Sequence, residues 1–283
     1  MRPVNALEAD VVCHTGDIAD GTAERRRAQA APLGTVRATW ARVYVTGNHE
    51  YYSEAQGWID LMSELGWEPL RNRHLLLERG GDTLVVAGVD DVTAESSGLA
   101  GHRAHLAGAL NGADPDLPVL LLAHQPKCVD RAAAAGIDLQ LSGHTHGGQI
   151  WPFHHLARID QPALAGLSHH GTRTLLYTSR GTGLWGPPFR VFAPSEITLL
   201  VLRSPPPAHL AIALDGPTHP LGGVLKPRGA ASTDDQARLA EDKIRAIPGP
   251  RASTSHTLSR LYDGGPLPAP APRTPLEPRG RTR

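Results

Sequence analysis

The stretch "IDLQLSGHTHGGQ", residues 137–149, decides how the chain is read. Its first half is a short apolar run suited to a buried strand. Its second half is a glycine-rich turn that carries His144 and His146 one residue apart. A turn of this kind has little side chain with which to pack two imidazoles. Neighbouring imidazoles near neutral pH gain most from sharing a cation. The stretch therefore reads as a strand that delivers metal-ligating side chains at its carboxyl end.

Outward from it, the same pattern recurs three times. "VVC" runs into "HTGDIADG" with Asp17, "RVYV" into "TGNHEYY" with Asn48 and His49, and "VLLL" into "AHQP" with His124. Further strands are expected at "DTLVVAGVDD", "RTLLYTSRG" and "SEITLLVLR". Helices are expected at residues 23–31, 53–66, 102–110 and 128–136, with Gly66 as a C-cap. This alternation is an α/β pattern with a sheet at its centre. Ligands of open α/β sheets bind outside the carboxyl ends of the strands, so the four loops are expected to meet if their strands are neighbours. Asp17 alone reads as a turn residue, Asn48 alone as a left-handed turn and His124 alone as a satisfied histidine. All four loops together favour a cation site. The donors are oxygen and nitrogen with no thiolate, which suits Mn, Fe or Zn and carries too much imidazole for a calcium cage. Gly16, Gly47 and Gly143 precede these residues and are expected to supply positive φ.

Composition narrows the alternatives. With 28 basic and 28 acidic side chains the formal net charge is zero, which speaks against a nucleic-acid footprint or an anionic-membrane patch. Cys13 and Cys128 lie in or beside apolar runs and read as small buried hydrophobes. No apolar run approaches the ~18 residues of a membrane span, and "MRPVNALEAD" lacks the marks of a signal peptide. As written the chain reads as soluble and cytoplasmic. Residues 1–203 form the expected domain. Residues 204–283 hold over half of the 25 prolines and read as a Pro/Gly-rich disordered tail, with one weak helix around residues 232–247.

The motifs "TGDIADG", "GNHEYY", "LLAHQP" and "SGHTHGGQ" closely resemble the calcineurin-like metallophosphoesterases, most nearly the bacterial phosphodiesterase-like branch. The resemblance covers roughly residues 4–203. It implies a four-layer α/β/β/α sandwich around two divalent cations (Mn, Fe or Zn) that hydrolyses phosphoric esters with a metal-activated water. Asp17 matches the bridging carboxylate. Asn48, His124 and His144 match the remaining ligands of one metal, and His146 a ligand of the other. His49 matches the histidine that stabilises the transition state or protonates the leaving oxygen. The implied substrate is a small or lipid-linked phosphoester, and no nucleic acid is expected.

One departure stands out. The family carries a D-x-H motif on a first strand, and only "MRPVNALEADVVCHT" precedes Asp17. "RPVNALEAD" resembles the helix after that strand. The fold is therefore expected to be N-terminally truncated, with the first metal site incomplete. A misassigned start is the leading explanation, and membrane association or export would then come only with the missing N-terminus. The others are a truly truncated gene with an impaired product, or a stand-in such as His14; the alternative function is a degenerate, non-catalytic metal-binding domain acting through interactions. His154, His155, His169 and His170 are expected to be ordinary polar residues, and Asp20 to support its turn.

Overall fold

The computed structural model describes residues 1–152 and 154–203, with the backbone of 244–248. In chain order the elements are α1 (Arg2–Asn5), β1 (Val11–His14), α2 (Ala23–Ala30), β2 (Ala41–Tyr44), α3 (Asn48–Tyr52) and α4 (Ala55–Glu64). Next come β3 (Glu68–Pro69), β4 (Arg73–Arg79), β5 (Asp82–Gly88), α5 (Leu106–Ala109), β6 (Val119–Leu122) and α6 (Val129–Ala134). The series ends with β7 (Leu139–Ser142), α7 (His154–Asp160), β8 (Gly166–His170), β9 (Thr174–Thr178), β10 (Glu196–Leu200) and β11 (Ile244–Pro248).

These strands make two main sheets. One has three parallel strands in the order β1-β2-β3, and the other has six in the order β4-β5-β6-β7-β9-β8. In the larger sheet β5, β6, β7 and β9 are parallel and β4 and β8 are antiparallel edges. The continuous run "VLLL" of β6 lies mid-sheet, as a strand covered on both faces should.

Successive strand residues point to opposite faces, and this alternation builds the layers. Val43 and Val45 of the β2 segment face Val86, Leu120, Leu122 and Leu141 of the large sheet, closing a core between the sheets. Tyr44 points the other way and packs with Trp58, Leu61 and Met62 of α4 and with Ala23 and Ala30 of α2. Leu121 likewise leaves the central core to join Ala109 of α5 and Ala132 of α6. The order is helix, sheet, sheet, helix: the expected α/β/β/α sandwich.

Four local expectations need correction. The helix over residues 102–110 shrinks to the single turn of α5, with Gly108 inside it. β4 was not foreseen, although Gly80 and Gly81, at φ +59° and +93°, form a two-residue hairpin turn between it and β5. β8 was hidden by its two histidines. The end of the weak helix expected at 232–247 is instead β11, antiparallel to β10 with Leu200 opposite Ile244. Pairing with a neighbouring strand overrides a weak helical propensity. The rest of the expected tail lies outside the described residues.

Among the described residues no strand pairs with the outer edge of β1. A groove of ≈ 2160 Å³ lies there, lined by Val11 and Cys13 of β1, Leu199 of β10 and Leu139 and Tyr177 of the large sheet. It runs on to Asp17, His144 and His146.

The central core gives a direct test of these layers. Leu122, fully buried between the sheets, should cost about 2–5 kcal/mol when changed to Ala. Leu76, half exposed on β4, should change stability by no more than about 0.5 kcal/mol. Urea melts of the two variants make the comparison.

Candidate metal centre

The four motif-bearing loops do not follow neighbouring strands of one sheet. β1 and β2 belong to the small sheet, β6 and β7 to the large one. Stacking the sheets brings the carboxyl ends of both parallel pairs together, so the loops still meet. Backbone bonds stitch each pair: Val45 N–H donates to His14 O (3.1 Å) and Gly143 N–H to His124 O (2.9 Å).

Glu50 joins the loops of the small sheet. Its side chain is fully buried. Oε1 accepts the N–H groups of Ile18 (2.7 Å) and Ala19 (3.1 Å), and Oε2 those of Asp17 (3.1 Å) and Gly47 (2.6 Å). Burial pushes this carboxyl above its usual range, with Asp17 adding and the N–H groups of Gly47 and Ile18 opposing. Both oxygens already accept two donors, so the geometry holds the ionised form. Gly47 permits the closure. A Cβ there would stand 2.2 Å from Asp17 Oδ1 and 2.8 Å from His124 Cε1. Its role is close approach, since its φ is −105°. Of the three glycines expected to carry positive φ only Gly16 does, at +92°. The strain sits on Asp17 (φ +58°), His144 (+67°) and His146 (+51°) themselves.

At the meeting point, ligand atoms of Asp17, His124 and His144 all lie within 4.8 Å of one another. His124 Nε2 is 3.0 Å from Asp17 Oδ2, 3.1 Å from Asn48 Oδ1 and 3.2 Å from His144 Nδ1. Asn48 Oδ1 is also 2.8 Å from His144 Nδ1. His124 Nδ1 donates to Thr15 O at 2.6 Å, which aims the Nε2 lone pair inward. Too few protons exist to satisfy this crowd of acceptors, and a divalent cation fits the donor set. The residues expected to hold one metal are thus brought together. His146 lines the same groove as Asp17. His49 anchors Asp17 through its backbone N–H to Oδ1 (3.0 Å), and its ring meets Tyr52 edge-on.

Charge follows this geometry. Burial opposes ionisation of Asp17, yet His124 and then His49 hold its carboxyl far below the usual range. Burial also opposes charge on His124, but Asp17 overrides it and pushes the imidazole up to about 9. Burial, helped by charge on His124, lowers His144 to about 4; burial and Arg190 lower His146 to about 4. Those two rings are neutral at pH 7, the form that ligates metal.

Other candidates resolve plainly. His14 packs edge-on against Tyr44 and Trp67 and accepts the Gly16 N–H at 3.2 Å. It is a half-buried histidine held by aromatic packing, lowered by burial to about 4. His154 stacks on His155 at 3.9 Å, and His170 meets Ser168 on β8. Asp20 pairs with Arg26. Burial pushes Cys13 up to about 12 and Cys128 up to about 11, so neither thiol is a ready nucleophile. Three supporting residues were not foreseen. Glu50 sits three positions after Gly47, the capping-box spacing, and that signal was available. Asp91, which accepts from Gln125 beside His124, and Arg190, which donates to His146 O, carry no local signal.

The calcineurin-like phosphoesterase family model matches residues 2–148. A bovine transmembrane protein with a metallophosphoesterase domain is 41% identical over 215 residues, covering 73% of this chain and 48% of that protein. An uncharacterized Helicobacter pylori metallophosphoesterase is 39% identical over 203 residues, covering 71% and 53%. This chain belongs to the calcineurin-like phosphoesterases. It spans about half the length of the curated relatives it matches, and those relatives come from animals as well as bacteria. Among the described residues no helix is long and apolar enough to cross a membrane.

Two outcomes follow for the centre. Glu50→Gln places an amide N–H₂ against backbone donors. It should cost about 1–3 kcal/mol and weaken Mn²⁺ binding roughly 10–100-fold, read by urea melts and metal titration. For the metal-free protein, His124 sits above its ordinary 6.5. Its contribution to stability is complete below pH 6.5 and is lost as pH rises through about 9. Metal replaces that proton, so Mn²⁺ affinity should rise over the same window with release of a proton. Calorimetry in buffers of unlike ionisation heat measures the release; none at pH 7 would contradict the pairing of Asp17 with His124.

Proposed function

We propose that this chain is a metal-dependent hydrolase of phosphoric esters, a phosphodiesterase or phosphomonoesterase. The observation that carries the reading is the gathering of Asp17, Asn48, His124 and His144 around one point. In this reading those four hold one cation, Mn, Fe or Zn. Asp17 and His146 serve a second. Bound divalent cations would polarise the phosphoryl oxygens and lower the pKa of water.

The chain's own residues account for the remaining requirements. Asn48 contributes an uncharged oxygen, so the site does not accumulate negative charge against an anionic substrate. Thr15 O fixes the ring of His124, and Glu50 fixes the loop of Asp17. His49 stabilises the transition state or donates a proton to the leaving oxygen. A small or lipid-linked phosphoester is the proposed substrate class.

A second reading is a metal-binding domain without turnover. It is favoured by the second cation position, which only Asp17 and His146 of the assigned ligands serve. Hydrolysis of an aryl phosphodiester with added Mn²⁺ separates the two. His49→Ala should slow turnover on the order of 10²–10⁴-fold, and Asp17→Ala should abolish metal-dependent turnover. Variants as fast as the parent would overturn the assigned roles. Mn²⁺ uptake with no hydrolysis by the parent would establish the second reading.

A further inference from the structure

Beyond the metal centre, the chain displays a set of apolar side chains that its fold leaves outside. Trp151, Leu156, Ile159, Trp185, Phe189 and Phe192 are all exposed, Ile159 at 83% and Phe192 at 88%. They come from two segments. The first is the end of the histidine turn with α7, and the second is the loop between β9 and β10.

A buried amide binds these segments into one surface. Gln149 is 4% exposed. Its Nε2 donates to Trp185 O (2.6 Å) and Pro187 O (3.2 Å), and its Oε1 accepts the Trp185 N–H (2.6 Å). Its backbone O accepts the Val191 N–H (2.8 Å). Ile150 and Val191 form a parallel bridge, and Trp151 and Phe192 follow directly on these two paired residues. The usual distribution is inverted here, with the polar group inside and the aromatics outside. Phe192 also adopts φ +59° and Gln149 φ +42°. A bulky side chain in the left-handed region is an outlier, and such strain clusters where function needs it.

The site lies against this surface. Phe189 lines the same groove as Asp17 and His146. Arg190 donates to His146 O at 2.9 Å. On the two rim segments Arg180 and Arg190 are held within the fold, by Glu196 and by the backbone O of His146, which leaves Arg158 of α7 as the outward basic side chain among the described residues. Arg173 and Arg180 pair with Asp138 and Glu196, and Asp160 with Lys127. Arg158 is exposed between Leu156 and Ile159 on α7.

We propose that this aromatic rim docks the protein on a lipid surface, its apolar side chains entering the headgroup boundary and Arg158 meeting anionic headgroups. Trp and Phe beside Arg are the composition that an interfacial element needs. A second copy of the chain is the competing occupant, and the oligomeric state in solution decides against or for it. Phe189 and Arg190 join the rim to the metal groove, so docking would bring the site close to the lipid surface. Docking is independent of turnover; that the docked site meets a lipid-borne phosphoester rests on the hydrolase reading.

The test is partition of the full chain onto phosphatidylcholine vesicles with and without phosphatidylglycerol. The parent should bind, more tightly to the anionic vesicles, with blue-shifted tryptophan emission. Trp185→Ser and Phe192→Ser should each weaken partition roughly tenfold while leaving Mn²⁺ binding and turnover of a soluble aryl phosphodiester unchanged. Arg158→Glu should remove the preference for anionic vesicles. A parent that ignores vesicles overturns the proposal, as do rim variants that bind like the parent. A concentration-dependent dimer lost on the same substitutions would overturn it in favour of a second copy. Vesicle binding without hydrolysis would leave the docking standing and remove only the enzymatic reading.

Discussion

The carboxylate of Glu50 is the constraint on which the centre depends. Four backbone N–H groups from two loops converge on its two oxygens, in a place water does not reach. A buried ion is costly unless it is fully satisfied. The loops after β1 and β2 are therefore locked in one relation, and the same relation places Asp17 beside Asn48 and His124. The absence of a side chain at Gly47 is the steric condition for it, because any Cβ would occupy the space of Asp17 Oδ1.

The large sheet supplies the other half. Leu120 and Leu122 fill the layer between the sheets, and the strand they belong to ends two residues before His124. Core packing and ligand placement are thus one event. Sliding the two sheets would open the core and scatter the donors together. The histidine turn is held separately, by the bond of Gly143 to His124 O and by the clamp of Gln149 on the loop beyond β9.

Much of this was legible in the residues. Apolar runs that end in Asp, Asn or His marked β1, β2, β6 and β7 and the loops that follow them. Helical spacing marked α4, and Gly66 ends it with φ +82°. The sheet assignment was not legible, since nothing local tells "VYV" from "LLL" as members of different sheets; that is decided by which faces the helices cover. The two histidines of β8 mask an edge strand, and β4 shows itself only through the Gly80-Gly81 turn that pairs it with β5. The supporting groups Asp91 and Arg190 act across the chain on Gln125 and His146, at separations no window of sequence spans.

The left-handed backbone at Asp17, His144 and His146 carries a consequence for redesign. Asp, Asn and His are among the few non-glycine residues that tolerate that conformation. The same three residue types are those that ligate hard and borderline cations. Steric permission and coordination chemistry thus select one small alphabet at these positions. Refitting the centre with thiolates for a softer ion would set side-chain affinity against the main chain, and would call for remodelling the turns before exchanging the ligands.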